Sequence, residues 1–489
     1  MAIHEECGVF GVISPHSTNV AEMCYYGLYS LQHRGQESCG IVVNDDGVFS
    51  SHKDMGLVAE VFHQEALSKM PNGEMAVAHC RYGTTGATNR NNCQPLEVNH
   101  VKGRMALAHN GNLSNAGKLR DELELSGAIF HTTSDTETIA YIITRERIHS
   151  GSIEEAVGKA MKTIDGAYSL IVMSPQKLIA ARDPHGFRPL CYGVTEDGTY
   201  VVASESCALA SVGAKFIRDV KPGEIIVFTN NPKNNKNTQK NGVSTLSIST
   251  YCGTIPKKLC IFEYIYFARP DSVIDGKSVY GARLKTGHIL AKAHPVDADI
   301  VIGVPDSGLI SAMGYSEESG IPYGTGLIKN RYIGRTFISP GQESRMDKVK
   351  IKLSTIDECV KGKRVVLVDD SIVRGTTSKR IVGLLRDAGA TEVHMRISSP
   401  PFLHPCFYGT DIDSEDQLIA VKHSVEEIAE LIGADSLGFL PVDRLNELVD
   451  SDAFCGACFN GDYPTEIPTD TRKDKFERKL SEKKSEKES

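Results

Sequence analysis

The sequence contains no run of roughly eighteen apolar residues, the length a helix needs to cross a bilayer, so no membrane partner is expected. Its first residues, Met-Ala-Ile-His-Glu-Glu, lack the apolar core of a signal peptide, and a cytoplasmic location is expected. Positive charge is not in excess. There are 54 Lys+Arg against 62 Asp+Glu, a net charge of −8, which disfavours a globally basic nucleic-acid binder. Neither a helix-turn-helix nor a concentrated basic face is evident, so no nucleic acid is expected as a partner. No internal repeat is present. The Gly-x4-Gly-Lys-Ser/Thr pattern of P-loop nucleotidases is missing. Cysteine, by contrast, is plentiful. The thirteen residues are too sparse for a disulfide scaffold and odd in number, so reactive or metal-bound thiols are the ones to seek.

At about 100–200 residues per domain, 489 residues make two to four domains, and a composition of 40% apolar and 24% charged residues is that of a globular chain. Two stretches are low in complexity. Residues 229–242 are Asn/Lys-rich and read as an exposed loop, and a domain boundary is expected near 229–250. Residues 469–489 hold eight Lys/Arg and six Asp/Glu with almost no apolar side chain, and read as a disordered tail.

The two halves differ in texture. The first mixes short β-branched runs (Ile41-Val42-Val43, Met75-Ala-Val-Ala78, Tyr200-Val201-Val202) with helical patterns. The second reads as strand, loop and helix units. Residues 299–304 and 364–368 are buried-strand patterns; after the latter, Ile381, Leu384, Leu385 and Ala388 fall on one helix face, and residues 392–398 form the next strand. Such alternation predicts a parallel, doubly wound sheet with ligands at the strand carboxyl ends.

The most specific feature of the second half is Val365-Val-Leu-Val-Asp369-Asp370-Ser371-Ile-Val-Arg374-Gly375-Thr376-Thr377-Ser378. Two carboxylates leave a buried strand, and a glycine with three hydroxyl residues opens a helix. The helix start suits an anion, and the acids suit ribose hydroxyls or a bound Mg2+. The string resembles the phosphoribosyl pyrophosphate signature of type I phosphoribosyltransferases. That resemblance implies that Val304-Pro305-Asp306-Ser307-Gly308 is the pyrophosphate loop and that Lys329-Asn-Arg-Tyr-Ile-Gly-Arg335 is a closing flap. It implies substrate contacts from Asp306, Ser307, Lys329, Asp369, Asp370, Ser371, Arg374, Gly375, Thr376 and Thr377. Ser307, Asp369 and Asp370 would hold magnesium, directly or through water.

Near the start, Cys7-Gly8 precedes an apolar strand. It is followed in order by Leu31-Gln-His-Arg-Gly35, His79-Cys-Arg81-Tyr-Gly-Thr-Thr-Gly86, His109-Asn110-Gly111-Asn112 and Ser134-Asp135-Thr136-Glu137. In this order the motifs resemble those of the glutaminases with an N-terminal nucleophile, and that resemblance implies hydrolysis of the glutamine amide, which needs a thiolate, donors for an oxyanion, and partners for the amino acid's carboxylate and ammonium. Cys7 suits the first task, the Asn110 side chain and Gly111 backbone the second, and Arg81 and Asp135 the last. Ser134 and Glu137 also read as a capping box. The set resembles the N-terminal-nucleophile glutaminases, αββα sandwiches whose terminal cysteine uses its own α-amine as base. That implies removal of residues 1–6 as a propeptide.

Cys455-Gly-Ala-Cys458, with Cys260 and Cys406, could hold either zinc or a [4Fe–4S] cluster on spacing alone. Both signatures together resemble the glutamine phosphoribosyl pyrophosphate amidotransferases. The four cysteines match the branch of that family that carries a structural [4Fe–4S] cluster. The resemblance implies a glutaminase domain over 7–245 and a phosphoribosyltransferase domain over 255–468. It implies conversion of glutamine, phosphoribosyl pyrophosphate and water into phosphoribosylamine, glutamate and pyrophosphate, the entry to purine synthesis. Ammonia would pass between two sites in a homotetramer inhibited by purine nucleotides. A sugar-phosphate aminating enzyme is disfavoured by the 365–378 string, and a non-catalytic regulator by the missing DNA-binding module.

Overall fold

The computed structural model describes residues 7–82, 89–230, 242–330, 353–410, 412 and 414–467. The strand Gly8–Thr18 is buried on both faces at its start, and its alternation divides two cores. Val9 and Ile13 face a second sheet, whereas Phe10 and Val12 face helices. It lies inside a seven-stranded sheet between Gly73–Arg81 and Tyr200–Ala203, both antiparallel to it. A six-stranded sheet stacks on it, with Gly103–Leu113 and Gly166–Met173 near its centre. Ala106, Ala108, Ile171 and Leu178 meet Val9, Val42 and Val77 between the sheets. The helix Val20–Ser30 covers the outer face of the first sheet, and the helices Asp135–Ile148 and Ile153–Ala160 cover that of the second. This is the expected αββα sandwich.

The expected boundary needs correction. Glu224–Asn230 pairs with Val243–Ser249 over its whole length, so the Asn/Lys-rich segment joins two strands of one sheet rather than two domains. Residue 245 falls inside the second of these strands, and its backbone pairing carries the first unit to Ser249. Residues 231–241 themselves, the leader at 1–6 and the tail at 469–489 lie outside the described residues.

The second half is built on four parallel strands in the order Ile300–Gly303, Arg364–Asp369, Glu392–Ile397, Ser436–Phe439. Val301, Val366 and Val368 pack on one side with Leu290, Ala312 and Tyr315. Ile302, Val365 and Leu367 pack on the other with Ile381, Leu385 and Ile428. Helices on both faces make the sheet doubly wound, as expected. The helix Thr376–Asp387 buries Ser378, Ile381, Val382 and Leu385, while Leu384 and Ala388 are only half-buried. Its inner face is therefore turned toward Val382 relative to the sequence expectation. No described helix is long and apolar enough to cross a membrane.

Candidate active site

Register sets the first site. Gly8 faces Cys80 and Val9 faces His79, so Cys7 stands level with Arg81 at the strand ends. Cys7 is 7% exposed. Its Sγ lies 3.5 Å from the Tyr82 carbonyl, and its own carbonyl accepts from Arg34 Nε at 3.1 Å. Residues 83–88, the rest of that motif, lie outside the described residues.

Across the sheet interface, His79 Nε2 is 2.9 Å from the carbonyl oxygen of His109, and Asn110 follows directly. The Asn110 carboxamide is fully buried, and neither its oxygen nor its nitrogen has a hydrogen-bond partner. A buried amide left unpaired costs stability, so a carboxamide held without a partner is an unusual feature for a core to keep. Asn110 and Gly111 form no turn, although an Asn-Gly pair often does; both lie within Gly103–Leu113. Gly111 has φ +139°, and a Cβ there would come within 2.2 Å of the Ala167 carbonyl oxygen, so only glycine fits.

Asp135 opens its helix, and Oδ2 accepts from the Leu113 N–H at 3.0 Å. Burial alone would raise its carboxyl. His109, whose Nδ1 is 3.6 Å from Oδ1, together with the Leu113 N–H and Arg81, holds it below its usual value instead. The expected capping box does not form. Ser134 accepts from the Thr136 N–H, and Glu137 turns back to accept from His131 and Thr132. Arg81 is buried, with Glu37 3.6 Å away. Cys7, Arg81, Asn110, Gly111 and Asp135 thus gather at one end of the sandwich.

The second site lies at the carboxyl ends of two adjacent parallel strands. Gly303 pairs with Val368, and the Val304 N–H donates to the Val368 carbonyl at 2.8 Å, so the 304–308 loop runs beside Asp369 and Asp370. Ser307 Oγ and Ser371 Oγ both donate to the Asp370 carboxylate. Burial raises both acids, and Asp369 is raised further by Asp370 beside it. Lys329 Nζ reaches Asp306 at 2.7 Å, and residues 331–335 of the expected flap lie outside the described residues. Arg374 contacts Gln417. Gly375, at φ +74°, caps the helix Thr376–Asp387 in a left-handed conformation, leaving Thr376 and Thr377 exposed at its start. A cavity of about 670 Å3 opens there, lined by Arg374, Gly375, Thr376, Lys379, Leu418 and Lys422 among others.

The cysteines of the second half converge. Cys260 and Cys455 are partners in a short parallel bridge. The Cys458 carbonyl accepts from the backbone N–H groups of Leu403 and His404, which draws in the loop carrying Cys406. Cys406 Sγ in turn accepts from the Tyr408 N–H at 3.4 Å. The Cys458 thiol is pushed well up by burial, then by Cys406, Cys260 and Cys455 around it. Among the described residues, no three His, Cys, Asp or Glu side chains close on a point as the ligands of a single ion do. No disulfide is present among the described cysteines. Of the eight others, six are buried and two, Cys252 and Cys359, are half-buried, which agrees with packing roles.

A family model described as a glutamine amidotransferase domain matches residues 79–211, and one described as a phosphoribosyl transferase domain matches residues 286–398. The amidophosphoribosyltransferase of Methanocaldococcus jannaschii is 48% identical over 464 residues, 94% of this chain and 98% of its own. That of Bacillus subtilis is 48% identical over 478 residues, 96% of each chain. The chain belongs to the amidophosphoribosyltransferases. Two solved structures share its shape. The Bacillus subtilis glutamine phosphoribosylpyrophosphate amidotransferase, complexed with ADP and GMP, superposes with TM-score 0.85 at 48% identity, covering 95% of this chain and 98% of that one. A structure described as the allosteric regulatory enzyme of purine biosynthesis gives 0.86 at 48% identity, covering 95% and 97%. As an amidophosphoribosyltransferase, the enzyme joins a glutamine amidotransferase half to a phosphoribosyltransferase half and serves the first step of purine biosynthesis.

Sequence reasoning gave no role to several residues of this amidophosphoribosyltransferase. His79 and Arg34 lie in the quoted motifs, but only the fold shows what they touch. Glu205, Glu263 and Arg188 had no local signal at all. They are charges whose partners sit up to 229 residues away.

Proposed function

We propose that Cys7, freed as the chain start by removal of residues 1–6, attacks the glutamine side-chain amide with its own α-amine as base. The Asn110 side chain and the Gly111 backbone take the charge of the tetrahedral oxyanion. Arg81 grips the substrate carboxylate, and Asp135 its ammonium. The released ammonia passes, sheltered from bulk water, to the second half, where it displaces pyrophosphate at ribose C1. The single observation that carries this reading is the buried, unpartnered carboxamide of Asn110, one residue beyond the His79–His109 link to the nucleophile's sheet.

In the second half, Asp369 and Asp370 face the ribose, and the Ser371, Arg374, Gly375, Thr376 and Thr377 loop holds its 5-phosphate at a helix start. Asp306, Ser307 and Lys329 take the pyrophosphate. The donor set fits Mg2+, which keeps water and phosphate oxygens and uses only one or two carboxylates. Ser307, Asp369 and Asp370 would hold it, and it would neutralise charge on the leaving pyrophosphate.

Cys260, Cys406, Cys455 and Cys458 fit a [4Fe–4S] cluster better than zinc. A four-iron cube spreads its thiolates wider than one tetrahedral ion, in keeping with four neighbouring thiols that do not close on one point. The cluster would staple the loops of the second half. Inhibition by purine nucleotides is supported by the relative solved with ADP and GMP and by the basic cavity at the phosphate loop. A homotetramer in the cytoplasm completes the reading. Purified protein should be brown, contain iron and sulfide, and begin at Cys7 by mass. A colourless anaerobic preparation with stoichiometric zinc would refute the cluster. A glutaminase-active chain beginning at Met1 or Ala2 would refute the processing.

A further inference from the structure

Arg34 is 1% exposed, and its guanidinium is held on every edge. Nη1 and Nη2 form a two-pronged pair with Glu263 at 2.9 and 2.7 Å, and Nη1 also reaches Glu205 at 2.7 Å. The remaining edge, Nε–H, donates to the Cys7 carbonyl at 3.1 Å. Glu263 is fully buried and belongs to the second half of the chain. It also takes Arg188 Nη1 at 3.2 Å, and Arg188 in turn donates to the Tyr408 carbonyl. Two buried arginines and two buried glutamates therefore balance, and the pair that orients Arg34 most tightly comes from outside the glutaminase sandwich.

We propose that Glu263 is a positioning residue for the glutaminase: through Arg34 it fixes the Cys7 main chain, so the phosphoribosyltransferase half completes the nucleophile's site. The proposal rests on the assignment of Cys7 as nucleophile. The Cys7 carbonyl carbon is bonded to the α-carbon, which carries the amine directly and the thiol through one methylene. Rotation of that carbonyl swings the attacking group and its base together. A planar guanidinium can hold it only while its own plane is fixed, and the two-pronged contact to Glu263 fixes it. Misplacing a reacting group by about 1 Å costs roughly a hundredfold in rate. The glutamine-binding side chains Arg81 and Asp135 are held by other groups, Glu37 and the Leu113 N–H, so turnover rather than substrate affinity should respond.

The test uses the full-length enzyme with phosphoribosyl pyrophosphate present. Glu263→Gln keeps the shape but removes the charge; Arg34→Lys keeps a cation between the glutamates but loses the Nε–H. Each should lower kcat for glutamate release by roughly ten- to a hundredfold. KM for glutamine should stay within about threefold, and ammonia-dependent synthesis within about twofold of wild type. Alkylation of Cys7 by iodoacetamide, followed against pH, should slow in both variants, a change that general loosening of the domain contact would not confine to this thiol. Glutamine kcat within twofold of wild type in either variant would overturn the proposal, as would equal loss of the glutamine- and ammonia-dependent reactions. A parallel Cys7→Ser variant separates the two claims. If it retains glutamine turnover, the nucleophile assignment itself falls. If it loses turnover while Glu263→Gln keeps it, only the positioning role falls.

Discussion

His79 joins the two sheets of the sandwich through its contact with His109, Nε2 to carbonyl oxygen at 2.9 Å. A carbonyl can only accept, so Nε2 carries a proton, and burial keeps the ring neutral with Nδ1 unpartnered. Val9 is the strand partner of His79, and Asn110 follows His109, so this one contact sets the strand of Cys7 against Asn110 and Gly111.

Burial lowers the His79 pKa to about 3 from 6.5, a shift only partly offset by the His109 carbonyl. The unfolded chain therefore binds a proton that the folded protein refuses between those values. Stability falls as pH drops through that window, by up to about 1.4 kcal/mol per pH unit from this group. Denaturation midpoints taken from pH 7 to pH 5 should fall, and should fall less steeply in His79→Gln. Equal slopes would contradict a neutral buried ring.

Asn110→Ala removes the proposed oxyanion donor without disturbing a hydrogen bond, because the carboxamide has none to lose. Glutamine kcat should fall by roughly 10²–10³, with ammonia-dependent synthesis retained. Steady-state kinetics with each nitrogen donor decides it. A loss shared by both donors would mean the change acts on the fold.

Asp369→Asn/Asp370→Asn relieves two acids that burial raises, Asp369 further by the charge of Asp370 beside it. The protein should fold at least as stably, yet synthesis from glutamine and from ammonia should both vanish while some glutaminase persists. Unchanged synthesis would remove these carboxylates from the ribose site.

What was legible in the sequence was local. Asp369 and Asp370 at the end of Val365-Val-Leu-Val are read directly, because strand burial and the following glycine are properties of adjacent residues. The order of the glutaminase motifs is legible for the same reason. The 245 boundary was misread because an Asn/Lys-rich segment looks alike whether it joins domains or two strands of one sheet; only the pairing of Glu224–Asn230 with Val243–Ser249 tells them apart. Glu137 fits a capping box by spacing, but the His131 and Thr132 N–H groups compete for its carboxylate and win. Val382, rather than Leu384, is fully buried because the helix packs against both the sheet and Val425–Ile432, a second neighbour that periodicity alone does not reveal. The Arg34 to Glu263 pair is invisible in sequence, since nothing near either residue announces a partner in the other half of the chain.

Cys7 is the proposed group that releases ammonia for a separate synthetic site. Phosphoribosylamine formation by Cys7→Ser, measured side by side with glutamine and with ammonia as nitrogen donor, tests it most directly. The prediction is loss of the glutamine-dependent reaction with the ammonia-dependent reaction retained. Glutamine-dependent synthesis at the wild-type rate would contradict it.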